Sequence, residues 1–214
     1  KNLKNEKLVN EELKKTNKQL NDSIAALKNQ LKESYYQKHK GRRITAPKNL
    51  PVRPTTDMAK EALFNRLANQ LYLQDTIALD LYAGTGNISY ELASRGCPNI
   101  TAVDSFPGCV QFIQKTAREL DMNISAVRAD VLEYLTKTPQ KFGFIFADPP
   151  YAHSADLLIE LHAVIFEREL LAPGGLFVLE YEKHKNLSHL PHFVDARTYG
   201  SSVFGFFALE QEIE

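Results

Sequence analysis

The sequence has no run of 18 apolar residues and no apolar leader, so neither a membrane-spanning helix nor a secretory signal is expected. Cysteine is scarce. Cys97 and Cys109 are the two present, with neither a CxxC pair nor histidine at ligand spacing around them, which argues against a disulfide scaffold and a zinc site. Reduced thiols in a cytoplasmic protein are the expectation. Residues 1–34 lack glycine, proline and aromatic side chains, so nothing there breaks a helix. The stretch from Lys38 to Arg53 lacks acids. No cluster of residues has the spacing of a metal site.

What is present divides the chain in three. At 214 residues and 43% hydrophobic, it is long enough for one substantial domain and a small appendage. Its formal charge is zero but unevenly spread: residues 1–34 carry eight Lys against five acids, and residues 35–214 carry 18 basic against 21 acidic side chains. In heptads, Leu13, Leu20 and Leu27 fall at d, and Leu3, Asn10, Asn17, Ile24 and Leu31 at a, with Glu6 spoiling one d position. This reads as a short parallel coiled coil able to form a homodimer, Asn at a fixing register and a two-stranded state. The alternative is one solvated helix packed on its own domain.

Residues 35–57, YYQKHKGRRITAPKNLPVRPTTD, follow. Six Lys or Arg and one His between Lys38 and Arg53, in a segment broken by Pro47, Pro51 and Pro54, have the footprint of phosphate-backbone contact. A solvated loop is the alternative. Lys40, Arg42, Arg43, Arg53 and Thr55 are the candidate residues for such contact. Thr55 or Thr56 also suits an N-cap for an amphipathic helix running to about Gln70.

From residue 58 on, short continuous apolar runs alternate with helical stretches. The runs are Ile77–Leu81, Ile100–Val103, Ile124–Val127, Phe144–Ala147 and Leu176–Leu179; Val110–Leu120 and Ala155–Leu171 read as helices. Strands buried on both faces and joined by helices predict an α/β, Rossmann-like, doubly wound and mostly parallel sheet. The tail after Pro191 predicts two more strands around Gly200–Ser202, an antiparallel hairpin closing one edge and bringing the sheet to seven.

Ligands of such sheets bind beyond the carboxyl ends of the strands, where Asp80, Asp104, Asp130 and Asp148 all fall. After the first strand, Ala83, Gly84, Thr85 and Gly86 form a turn that lets backbone approach a ligand. The third position of GxGxxG is Ser89, so the dinucleotide pattern is incomplete. Asp104 is spaced to take both hydroxyls of a ribose, and Asp130 to meet the exocyclic amino group of an adenine. These positions describe a cofactor containing adenosine.

The succession LDLYAGTG, Asp104, Asp130, DPPY resembles the class I S-adenosylmethionine-dependent methyltransferases, among which DPPY marks those acting on exocyclic amino nitrogens. More closely, KGRRITAPKNLPVRPTTDMAKEALFN, LDLYAGTGNISYELASRG and FIFADPPY resemble the RsmD family, bacterial enzymes that methylate a guanine N2 in 16S ribosomal RNA. The match spans roughly residues 38–208. It departs at the front, where family members begin with a short strand and this chain has SYYQKHKGRR behind the heptads.

The resemblance implies S-adenosylmethionine held by Asp80, Tyr82, Gly84, Thr85, Gly86, Asn87, Asp104, Ser105, Asp130 and Val131. It implies 16S rRNA, free or in a small-subunit particle, as substrate, and a catalytic set of Asp148, Pro149, Pro150 and Tyr151. A guanine N2 lone pair is delocalised into the ring, and acceptors around its hydrogens favour the pyramidal geometry that aims it at a methyl group. The Asp148 carboxylate and Pro149 carbonyl suit that task, prolines fixing φ and leaving no competing N–H, and Tyr151 suits stacking on an extruded base. A cap on the helix beginning near Ser154 is the plain alternative for Asp148. DPPY also fits DNA or RNA adenine-N6 methyltransferases, though the DNA enzymes usually carry a target-recognition domain for which little length is left. A glutamine methyltransferase would prefer Asn at 148. A non-catalytic RNA-binding module with a relic pocket is the reading from another class.

Overall fold

Strands form where Val, Ile, Leu and Phe run continuously, because such runs bury both faces of a pleated ribbon. The computed structural model describes residues 2–39, 44, 45, 47, 50, 57–150 and 153–209. Seven strands form one sheet: β1 (Ile77–Leu81), β2 (Asn99–Asp104), β3 (Ile124–Arg128), β4 (Phe142–Ala147), β5 (Leu171–Glu182), β6 (Phe193–Tyr199) and β7 (Ser202–Phe207). Their order is β3-β2-β1-β4-β5-β7-β6. The first five are parallel, and β7 pairs antiparallel with both β5 and β6. The doubly wound sheet and its closing hairpin are as the sequence predicts. The helices are α1 (Asn2–His39), α2 (Asp57–Gln70), α3 (Asn87–Ser94), α4 (Pro107–Glu119), α5 (Val131–Lys137) and α6 (Ala155–Glu167).

Alternate side chains feed two cores. Leu79, Leu81, Ile145, Ala147, Phe177 and Leu179 face α5 and α6, while Ala78, Phe144, Phe146, Leu176 and Val178 face α2 and α3. Each fully buried Phe or Leu contributes about 1.5–3 kcal/mol, and the period of two fixes strand register because a one-residue slip would exchange the faces. On α2, Ala59, Leu63, Phe64 and Leu67 make the buried stripe.

Three of the larger departures from the expected boundaries have a physical reading or bear on the ends of the chain. β5 starts at Leu171, five residues early, because Pro173-Gly174-Gly175 forms an irregularity within the strand: β4 pairs Phe142 with Leu171 and then Phe144 with Leu176. α6 stops at Glu167 rather than Leu171. Glu169 turns left-handed (φ 52°), and the Leu170 N–H donates to the Ile165 carbonyl at 3.0 Å, a C-terminal closure made without glycine. α1 runs on to His39, past residue 34. Leu13, Leu20, Ile24 and Leu27 lie exposed along it. No described helix is long and apolar enough to cross a membrane.

Candidate active site

The parallel register levels the strand ends, with Leu81 opposite both Val103 and Ala147 and Asp104 opposite Arg128. Asp80, Asp104 and Asp148 therefore leave neighbouring strands at one end of the sheet, and Asp130 follows two residues after β3. Backbone bonds sew these ends together. The Ala83 N–H donates to the Val103 carbonyl at 3.1 Å, the Ala129 N–H to the Asp104 carbonyl at 3.2 Å, and the Asp148 N–H to the Leu81 carbonyl at 3.3 Å.

The turn between β1 and α3 is built from left-handed backbone. Tyr82, Gly84 and Gly86 have φ of 57°, 53° and 82°, and the Gly86 N–H closes the turn on the Ala83 carbonyl at 2.8 Å. Gly86 is required twice over: besides its φ, a Cβ there would lie 2.8 Å from Ile113 Cγ1 and 3.0 Å from Tyr90 Cζ. Tyr82 bears its strain without being glycine, as side chains at functional turns often do. Its phenol is pushed up to about 12 by burial and then by the charges of Asp130 and Glu160.

Each aspartate has a distinct environment. Asp80 is buried beneath the turn, where its Oδ2 accepts from the Ser89 N–H at 3.1 Å and the Ser89 hydroxyl at 2.6 Å. Burial pushes its carboxyl up to about 7; the Ser89 bonds oppose that shift and the Asp104 charge adds to it. Ser89 at the third motif position thus has a use that glycine could not serve. Asp104 accepts from the Gly84 N–H and the Phe106 N–H, each at 2.8 Å, so its carboxylate is clamped beside the glycine turn with lone pairs left for hydroxyl donors. Asp130 caps α5, its Oδ1 accepting from the Glu133 N–H at 3.0 Å. Val131 is buried behind it, while Ser105 is exposed beside Asp104.

Asp148 is partly buried directly beyond β4, followed by buried Pro149 and exposed Pro150. It does not cap α6, because the Ser154 hydroxyl takes that place, accepting from the Leu157 N–H at 3.3 Å. Tyr151 lies outside the described residues, as do Lys40, Arg42, Arg43, Arg53 and Thr55. Of the basic segment, Leu50 is described and reaches the site's rim. A Cβ on Gly108, in the first turn of α4, would lie 3.0 Å from Leu50 Cδ2 and 2.8 Å from Phe106 Cε1, so both side chains close over Gly108 beside Asp104.

Sequence reasoning missed Lys60 and Phe106. The Lys60 ammonium donates to Asn87 Oδ1 at 3.4 Å, tying α2 to the first residue of α3. It follows buried Ala59 on the edge of the α2 stripe, which periodicity could have flagged, though not the partner. Phe106 is 40% exposed two residues after Asp104, a large apolar side chain at a polar rim.

Residues 36–208 match the family model described as Conserved hypothetical protein 95. The chain is 32% identical over 153 residues to the putative rRNA methyltransferase YlbH of Bacillus subtilis, covering 69% of this chain and 81% of that protein. It is 29% identical over 153 residues to ribosomal RNA small subunit methyltransferase D of Escherichia coli K12, covering 71% and 75%. Among solved structures it resembles the Thermus thermophilus 16S rRNA N2 methyltransferase RsmC in complex with AdoMet and guanosine, with a TM-score of 0.62 and 25% identity over 75% of this chain and 45% of that one.

Proposed function

The chain belongs to the RsmD family of S-adenosylmethionine-dependent ribosomal RNA methyltransferases, and from that premise we propose that it methylates the exocyclic N2 of a guanine in 16S rRNA. S-adenosylmethionine is the cofactor and supplies the methyl group when bound. The donor set fits it: a carboxylate clamped by the Gly84 and Phe106 amides faces the place of two ribose hydroxyls, and the left-handed turn keeps side chains away from the ligand. In this reading Asp104 and Ser105 hold the ribose, and Asp130 with Val131 the adenine. Tyr82, Gly84, Thr85, Gly86 and Asn87 line the methionine end. Asp80 acts from beneath, fixing α3 through Ser89.

The observation that carries the reading is Asp148 at the carboxyl end of β4 with Ser154, not Asp148, capping α6. A strand-end carboxylate that does not serve as the α6 cap, followed by a rigid Pro-Pro, carries acceptor lone pairs at the edge this reading gives to the amino group. Asp148 and the Pro149 carbonyl orient the N2 hydrogens, the nitrogen lone pair then points out of the base plane, and the carboxylate stabilises positive charge as it develops. Tyr151 stacks on the extruded base. The basic segment with Lys40, Arg42, Arg43, Arg53 and Thr55 contacts the RNA backbone next to the cofactor, a placement consistent with Leu50 closing over Gly108. Residues 1–34 pair with a second copy through the exposed Leu13, Leu20 and Leu27 seam, and the enzyme works in the cytoplasm on rRNA or a small-subunit particle.

The test is nucleoside mass analysis after incubation with labelled S-adenosylmethionine and 16S rRNA, small-subunit particles or DNA. N2-methylguanosine in rRNA is expected. Label in N6-methyladenine, or transfer to DNA alone, would overturn the substrate assignment.

A further inference from the structure

We propose that Lys185, on the turn between β5 and β6, is a positioning residue that fixes His153, and through the His153 N–H the Pro150 carbonyl, behind the Asp148–Pro149 edge. The inference rests on the reading of Asp148 and Pro149 as the edge that receives the amino group. The Lys185 ammonium donates to the His153 carbonyl at 2.9 Å and lies 3.2 Å from Glu182 Oε2. It reaches across 32 residues of sequence to do so. Its side chain is 12% exposed, unusual for a lysine, which ordinarily keeps its ammonium hydrated.

Asp148 and His153 are each anchored to a neighbouring element. At the front, the Asp148 N–H donates to the Leu81 carbonyl; at the back, the His153 N–H donates to the Pro150 carbonyl at 2.9 Å while the His153 carbonyl receives Lys185. The His153 ring also meets the Tyr82 ring, centroids 5.8 Å apart, which links His153 to the left-handed residue of the cofactor turn. The support is itself braced, since the Lys185 N–H donates to the Glu182 carbonyl at 2.9 Å and the Lys183 N–H to the Ser201 carbonyl at 3.1 Å, joining the turn to the closing hairpin. Lys183 and His184 on the same turn are exposed. A turn that merely offered positive charge to RNA would have no reason to bury one ammonium against a carbonyl.

A charge-assisted bond to the His153 carbonyl positions the protein backbone behind Pro149 and Pro150 rather than the base, so its loss should act on the chemical step. The variants are Lys185→Met, Lys185→Arg and Lys183→Met, read by single-turnover methyl transfer to rRNA, S-adenosylmethionine affinity, melting temperature and exchange of the His153 amide. Lys185→Met should exchange that amide faster and lower the rate about 10- to 100-fold, the scale of a misplacement near 1 Å, with cofactor affinity within about twofold. Lys185→Arg, which keeps a donor for the carbonyl, should recover most of the rate. Lys183→Met should leave rate and exchange at wild-type values. Should Lys185→Met not fold, Glu182→Gln takes its place, with a loss of about two- to fivefold in rate and faster His153 exchange expected. Unchanged exchange and rate in Lys185→Met or in its stand-in would overturn the proposal, as would equal losses in the Lys183 and Lys185 variants. Amide exchange needs no RNA, so a wild-type enzyme that fails to modify guanine would sink the substrate reading and leave the tether decided on its own readout.

Discussion

The two ends of the central strands are built from different chemistry. At the amino ends, polar groups are consumed locally: the Thr76 hydroxyl donates to the Tyr72 carbonyl at 2.8 Å, the Cys97 thiol to the Thr76 carbonyl at 3.1 Å, and Asn123 Nδ2 to Asn99 Oδ1 at 2.9 Å. A hollow of about 270 Å³ lies there, bordered by Leu71, Ile77, Lys141, Gly143 and Pro173. Asp75 and Lys141 are the charged residues on its lining, and Lys141 pairs with Glu169 at 3.2 Å. Burial holds the Cys97 thiol up at about 12, where it is unreactive. Left-handed residues occur at both ends, Asp121 and Glu169 at the amino ends and Tyr82 at the carboxyl ends, but the carboxyl ends bring together one carboxyl raised by burial and three more aspartates from successive strands. Volume alone does not mark a candidate site; convergent ionisable groups with perturbed environments do.

The largest expected effect falls on Asp148. Asp148→Ala should slow single-turnover methyl transfer by roughly 10³ and leave cofactor affinity almost unchanged, since it removes an electrostatic partner of the reaction rather than of binding. Lys141→Ala at the opposite end should leave the rate at its wild-type value. Equal losses in the two variants would erase the distinction between the ends.

Next comes the buried carboxyl of Asp80. Its folded pKa is raised from 3.8 to about 7, so the folded state retains a proton that the unfolded chain gives up. Stability from this group is therefore full below about pH 4, falls between pH 4 and 7, and is flat above, a change on the order of 4 kcal/mol. Asp80→Asn keeps an acceptor for Ser89 and should flatten that stretch of the profile in urea unfolding. Parallel profiles for the two proteins would show that the Asp80 carboxyl does not titrate in this range.

A smaller effect is expected at Asp104. Asp104→Ala should weaken S-adenosylmethionine binding by about 1–3 kcal/mol, the cost of unmade charge-assisted hydrogen bonds, with RNA affinity unaltered. Calorimetry checks it, and an unchanged dissociation constant would take Asp104 out of the ribose role.

Much of this was legible in the sequence, and the reasons are local. Continuous apolar runs located all five parallel strands, β1 at its observed bounds of Ile77–Leu81. That the strand-end aspartates and the glycine turn lie at one end of the sheet was legible because residue type and topology together determine where they lie. The early start of β5 was not legible, because Pro-Gly-Gly usually ends a strand and here is accommodated within one. Nor was the end of α6, where Glu169 adopts a conformation that composition assigns to glycine. The division of labour between Asp148 and Ser154 and the reach of Lys185 to His153 depend on contacts that one-dimensional spacing does not carry.

The most direct test is single-turnover methylation of rRNA by Asp148→Asn beside its melting temperature. Asn keeps an acceptor oxygen and loses the charge, so the expected rate is about 10² to 10³ below wild type, less severe than for Asp148→Ala, with an unchanged melting temperature. A wild-type rate in the intact protein would contradict the account, showing that the carboxylate charge at the end of β4 is not what the reaction uses.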